Sequence, residues 1–157
     1  MNTTTVLYAE DEDNDAFFAR RAFKQAEVAN PLQIVRNGQQ AVDYLAGTGG
    51  YADRNQFPMP CLLLLDIKMP LKSGLEVLKW VREQAALRTL LVVMFTSSAE
   101  ERDVQIAYEF GANAYLVKPA DTAAMEAMTR TLRDFWLKWN QPPPGGLTLR
   151  GAFPTRA

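Results

Sequence analysis

Histidine is absent from the 157-residue chain, and cysteine occurs once, at Cys61. Without an imidazole, Ser-His-Asp and Cys-His catalysis, His-ligated metals and a self-contained phosphohistidine relay are all excluded. A lone thiol supplies neither a disulfide framework nor a thiolate zinc site within one chain. An excess of either charge is lacking too: 17 basic and 18 acidic side chains leave a formal charge of −1. No basic surplus exists to release phosphate counterions, so a general nucleic-acid binder is not expected. No apolar run approaches the ~18–20 residues of a membrane span. The Met-Asn-Thr-Thr-Thr start also lacks the positive region of a signal peptide. A cytoplasmic protein with neither membrane nor nucleic acid as partner is expected. What the chain does have is apolar content, 48% of its residues. Its length suits one domain, which at this size buries about 70% of its unfolded surface and needs no covalent staple.

The apolar residues alternate between two periodicities. Val6 to Ala9, Leu32 to Val35, Cys61 to Leu65, Leu90 to Phe95 and Ala114 to Val117 read as short strands. The third and fourth are apolar throughout, as central parallel strands covered on both faces are. Between them lie helical patterns. Phe18, Ala19, Ala22, Phe23 and Ala26 mark the first, with Asp13 or Asn14 available as its N-cap. The second runs from Gly38 to Leu45; Leu75, Val77, Leu78 and Val81 mark the third. Val104, Ile106, Ala107, Tyr108 and Phe110 mark the fourth, which Gly111 stops. The last is predicted from about Thr122 to Asn140, burying Met125, Met128, Leu132, Phe135, Trp136 and Trp139 in one stripe and leaving Leu137 off it. Residues 46–60 read as a long loop, either functional or a family-specific insertion. Strict alternation with right-handed crossovers predicts an α/β, doubly wound (βα)5 fold, a flavodoxin-like parallel sheet in the order 2-1-3-4-5.

Such a sheet binds ligands beyond the carboxyl ends of its strands, where the strand order reverses. Strand one ends in Glu10-Asp11-Glu12 and strand three in Asp66, which this order makes neighbours. Like charges about 4 Å apart repel by about 4 kcal/mol at an effective dielectric of 20. An acidic cluster persists there if a divalent cation neutralises it, and oxygen-only donors favour Mg2+ or Mn2+. For Glu12 and Asp13, solvated helix-start acids are an equally good reading. Strand four ends in Thr96-Ser97 and strand five in Lys118-Pro119, adding a hydroxyl and a cation at the same edge. A metal, a hydroxyl and an ammonium around one carboxylate equip phosphoryl transfer, which rests on positioning and charge stabilisation.

Glu10-Asp11-Glu12, Leu65-Asp66-Ile67-Lys68-Met69-Pro70 with Gly74, Thr96-Ser97 and Lys118-Pro119 resemble the receiver domain of two-component response regulators. The resemblance implies that Asp66 is the phosphoacceptor and that Glu10 and Asp11 form the acid pocket. It implies Mg2+ held by Asp11, Asp66 and the backbone carbonyl of Lys68, with Glu10 acting through water. Lys118 would pair with phosphoryl oxygens. Thr96 and the aromatic Tyr115 would switch on phosphorylation, and Pro119 matches a proline that is usually cis. The partner implied is a sensor histidine kinase, since this chain has no histidine to act as donor, and a homodimer would form through the face of helix four, strand five and helix five. Residues 49–60 and Asp134-Phe135-Trp136-Leu137 look like the stand-alone regulators of bacterial phytochrome kinases. The expected organisation is a receiver over 1–140 and a Pro/Gly-rich tail over 141–157 without an output domain. Its chemistry would be limited to its own aspartyl phosphorylation and dephosphorylation.

Two other classes compete. A flavin- or nucleotide-binding module of this fold would want a Gly- or hydroxyl-rich phosphate loop after strand one, where Glu10-Asp11-Glu12-Asp13 would repel the ligand. An aspartate-based phosphatase would want its nucleophile there with a second acid two residues on, as Asp11 and Asp13 superficially offer. Asp11-x-Asp13-x-Asp15 also imitates a calcium loop, but Ala16 and Ala22 stand where its glycine and closing glutamate belong.

Overall fold

Four consecutive leucines, Leu62–Leu65, form strand β3, and none of them has any solvent exposure. That is the signature of a strand covered on both faces. The computed structural model describes residues 4–143. Around β3 lie β1 (Val6–Ala9), β2 (Leu32–Val35), β4 (Leu91–Thr96) and β5 (Ala114–Val117), all parallel in the order β2-β1-β3-β4-β5. The intervening helices are α1 (Asp13–Gln25), α2 (Gly38–Ala46), α3 (Gly74–Glu83), α4 (Glu101–Glu109) and α5 (Thr122–Leu132). Helices α1 and α5 pack together over one face, where Ala19, Phe23 and Leu132 meet Val6, Leu62, Leu64 and Val93. Helices α2, α3 and α4 cover the other, where Val42, Leu45, Val77, Leu78 and Ala107 meet Leu63, Leu65 and Val92. Both doubly wound architecture and strand order agree with expectation.

Local chemistry sets the helix starts. Asn37 caps α2 by accepting from Gln40 N at 2.7 Å, and Asp121 caps α5 by accepting from Ala124 N at 2.7 Å. Ser73 and Glu76 form a reciprocal capping box on α3. The N-cap of α1 is Glu12 rather than Asp13 or Asn14, and its side chain makes no capping bond. Gly111, at φ +98°, ends α4 as expected.

Residues 46–60 are built onto the core. Tyr44, Tyr51 and Phe57 stack with ring centroids 5.0–5.8 Å apart. Arg54 donates to the carbonyls of Tyr44, Leu45 and Phe57, satisfying carbonyls at the end of α2 that the helix cannot bond itself. The segment is thus an extension of the apolar core with one short helical turn, Gly49–Tyr51.

The end of the last helix departs from the predicted stripe. After Leu132 the chain continues as a π-helix over Arg133–Trp139. Its i→i+5 bonds turn the chain by less per residue than an α-helix, so the 100° projection drifts. Trp136 and Leu137 pack on the core, while Phe135 and Trp139 are 54% and 74% exposed. Leu137 is therefore half-buried against the core, and Phe135 and Trp139 are exposed. Of the predicted tail, only residues 141–143 lie within the described residues.

Gly74 places α3 directly against the strand-end loop. A Cβ there would lie 1.9 Å from the Asp66 carbonyl oxygen and 2.8 Å from its carbon. Backbone cannot yield as a flexible side chain does, so Gly74→Ala is expected to cost about 3 kcal/mol or more. A lowered denaturant midpoint at unchanged slope would register that loss; an unchanged midpoint would contradict the contact.

Candidate functional site

The strand register brings the charged residues together. Ala9 pairs with Leu65, so Glu10 and Asp66 are each the next residue out, side by side at the switch point. The backbone pins both: Glu10 N donates to Val35 O at 3.0 Å and Asp66 N to Ala9 O at 3.1 Å. Lys118 N donates to Thr96 O at 2.8 Å, which fixes the cation at the same edge. The Lys118 side chain, only 5% exposed, reaches across and its ammonium donates to three carboxylates. These are Glu10, Asp15 at 2.9 Å and Asp66 at 3.0 Å.

Glu10 is fully buried and fully partnered. Besides Lys118 it accepts from the Tyr8 phenol at 2.9 Å and from Glu12 N at 3.1 Å. Burial pushes its carboxyl up to about 7, against the attraction of Lys118 and with the help of Asp66. Asp66 moves the other way. Burial opposes its charge, but hydrogen bonding with Glu10 and the Lys118 ammonium outweigh that and hold it below its ordinary value. Burial likewise works against the charge of Lys118, and the surrounding carboxylates more than offset it, keeping the ammonium protonated above its ordinary range. Burial and mutual repulsion thus push the two carboxyls apart, Glu10 upward and Asp66 downward.

The remaining predicted residues fall around this centre. Thr96 is 2% exposed at the end of β4, its hydroxyl accepting from Ser98 N at 3.4 Å. The Tyr115 hydroxyl donates to Ser98 O at 2.8 Å, so the aromatic is tied to the same loop as Thr96. Lys68 is exposed two residues past Asp66, and Asp11 is half-buried beside Glu10. The Lys118–Pro119 bond is trans, not cis; trans is the isomer an X–Pro bond favours by about 0.5–1 kcal/mol unless its surroundings demand otherwise. Asp13 is on the solvated side, 94% exposed and paired with Arg36.

Sequence reasoning missed two participants. Among the described residues, the acids whose oxygens lie within 4.8 Å of one another are Glu10, Asp15 and Asp66, an all-oxygen set suited to a hard divalent cation. Asp15 entered the sequence reading only as the third acid of the discarded calcium-loop pattern Asp11-x-Asp13-x-Asp15. Tyr8 read as one more strand apolar, yet its phenol supplies a bond to Glu10. Beside this centre opens a cavity of about 410 Å³ between α1 and α5, bordered by Asp15, Phe18, Ser97, Lys118, Pro119 and Met125.

Comparison with known proteins follows the same outline. The family model "Response regulator receiver domain" matches residues 6–130. Response regulator Rcp1 of Synechocystis is 32% identical over 133 residues, covering 85% of this chain and 88% of the relative. Its Mn(2+)-bound structure superposes with a TM-score of 0.80 at 31% identity, covering 89% of this chain and 99% of Rcp1. Response regulator RPA3017, in red light signaling of R. palustris, gives a TM-score of 0.85 at 36% identity over 89% of this chain and 98% of that one. Bacteriophytochrome response regulator RtBRR gives 0.69 at 39% over 91% and 86%. Among the described residues no helix is long and apolar enough to cross a membrane. Neighbouring carboxylates just past β1 and β3, a lysine just past β5 bound to both, and a family match over most of the fold together place this chain in the response regulator receiver family, among relatives of the phytochrome response regulators.

Proposed function

We propose that the chain is a stand-alone response regulator whose Asp66 accepts a phosphoryl group from a phosphohistidine on a partner sensor kinase, a bacterial phytochrome kinase in the narrowest form of the reading. The observation that carries it is the Lys118 ammonium bonded to both Glu10 and Asp66 at one strand edge. The Asp66 carboxylate attacks phosphorus, the new O–P bond forms as the P–N bond to imidazole breaks, and the imidazole leaves with the electron pair. Lys118 offsets charge on the transferred oxygens. Thr96 then draws toward the phosphoryl group and Tyr115 follows through the loop both bond to. That re-poses the face of α4, β5 and α5, where Tyr108 and Val117 are 51% and 38% exposed, for a second copy or a target. The chain catalyses nothing beyond its own phosphorylation and dephosphorylation, and it works in the cytoplasm with the kinase.

The clustered carboxylates of Glu10, Asp15 and Asp66 suit Mg2+, with Mn2+ as an alternative. Asp11 lies outside that cluster, and in the reading proposed here the cation would be held by Asp11, Asp66, the Lys68 carbonyl and, through water, Glu10. When bound, the cation neutralises charge on the transferred phosphoryl oxygens. Because Glu10 takes a proton near pH 7, metal affinity is expected to fall as pH drops from 8 to 6, by up to tenfold per unit below 7. Calorimetric Mg2+ titrations at the two pH values test this; equal affinities would contradict it.

The deciding experiment incubates the full chain with Mg2+ and acetyl phosphate or a candidate kinase and reads intact mass. One added phosphoryl group that hydroxylamine removes is the acyl phosphate expected. Phosphate that survives hydroxylamine, or none at all, overturns the reading.

A further inference from the structure

Lys118 has three ammonium hydrogens and three carboxylate partners, so no donor is left over for an incoming phosphoryl group. Asp66 frees one donor when its carboxylate becomes the acyl phosphate, and a second for the phosphoryl oxygens has to come from Glu10 or Asp15. Glu10 is fully buried and has two other donors to hold it, and Asp66 is the group being modified. Asp15 differs from both. Its side chain is 38% exposed, it borders the cavity between α1 and α5, and water can receive its carboxylate there. No other residue among the described ones bonds it.

We propose that Asp15 is a positioning residue that acts as a releasable counterion for Lys118, holding the ammonium on the cavity side in the unphosphorylated state and ceding one N–H to the phosphoryl oxygens. The proposal rests on Asp66 being the phosphoacceptor. It gives Asp15 a cost and a purpose. The cost is that its charge competes with the phosphoryl group for the same donor, which lowers the population of phosphorylated protein. The purpose is that Lys118 stays extended at the strand edge, its ammonium placed beside Asp66 before the phosphoryl group arrives. A helix-start acid of merely structural value would face solvent, as Asp13 does, and would not reach a lysine 103 residues away.

The test compares wild type, Asp15→Asn, Asp15→Glu and Asp66→Asn as full chains with Mg2+. Beryllofluoride, a stable mimic of the acyl phosphate, is titrated by calorimetry, and labelling by acetyl phosphate is followed by intact mass. Asp15→Asn is expected to bind beryllofluoride about tenfold more tightly, the scale of one charge-assisted hydrogen bond no longer contested. Asp15→Glu, which keeps the charge, is expected to return toward wild type; damage to α1 would not be rescued in that way. Unchanged beryllofluoride affinity in Asp15→Asn overturns the proposal. So does a loss of Mg2+ affinity in that variant, since Asp15 would then serve the cation rather than Lys118. Labelling of Asp66→Asn equal to wild type would instead strike the phosphoacceptor reading itself, which separates the two failures.

Discussion

Asp66→Asn is expected to take up no hydroxylamine-labile phosphate from any donor, while remaining as stable as wild type to within about 1 kcal/mol. The amide has nearly the shape of the carboxylate, and its oxygen still accepts from Ile67 N, a bond of 2.7 Å in the native chain. It has no lone pair basic enough to attack phosphorus. Stability is nearly neutral because two changes oppose each other. Lys118 loses one of three anionic partners, and the repulsion of Asp66 with Glu10 and Asp15 disappears. Intact mass after acetyl phosphate, with urea unfolding of the same samples, reads both halves. Uptake that persists moves the acceptor elsewhere; a large loss of stability would mean that Asp66 holds the fold.

Lys118→Met is the converse, damaging fold and chemistry together. Methionine fills the lysine's channel but leaves Glu10 and Asp66 with no cation, and both are nearly or fully buried. Removing one partner of a buried pair costs about 3–5 kcal/mol, and the lower end is expected near pH 5, where Glu10 is protonated. The sign of the pH dependence follows. Lys118 normally pulls Glu10 down, so without it the folded carboxyl rises above about 7 while the unfolded one stays near its ordinary 4.5. Between these values the folded state holds more protons than the unfolded state, and stability falls as pH rises. The variant is therefore expected to be least impaired near pH 5 and most impaired at pH 8, and Mg2+ is expected to stabilise it. Phosphorylation should persist but slow by about 10²–10³, the usual cost of losing one group that stabilises developing charge. Unfolding at the two pH values and labelling rates at pH 8 check this, and a destabilisation that grows on acidification would contradict the assigned electrostatics.

The strand runs were readable because burial on both faces demands apolar residues at every position, as in Leu62–Leu65, and a single-residue error moves an end without moving the strand. The order 2-1-3-4-5 was readable too, since alternation and crossover handedness leave few arrangements. Acids at the ends of β1 and β3 then had to be neighbours, and Lys118 had to stand on the same edge. The wrongly projected stripe after Leu132 shows where periodicity stops: a change from i→i+4 to i→i+5 bonding leaves no mark in composition, yet it turns Leu137 against the core and Phe135 and Trp139 to solvent.

The sequence by itself determined the layers, the strand order and which edge of the sheet carries charge, because these follow from the period of apolar residues and the chirality of the chain. Only the tertiary structure decided how that charge is shared. Asp15 joins Lys118 while Asp13, two residues away, turns to solvent; Tyr8 bonds Glu10 from within a strand. Those assignments depend on side chains meeting across the fold at hydrogen-bond distance, and separations of that kind come from packing rather than from position along the chain.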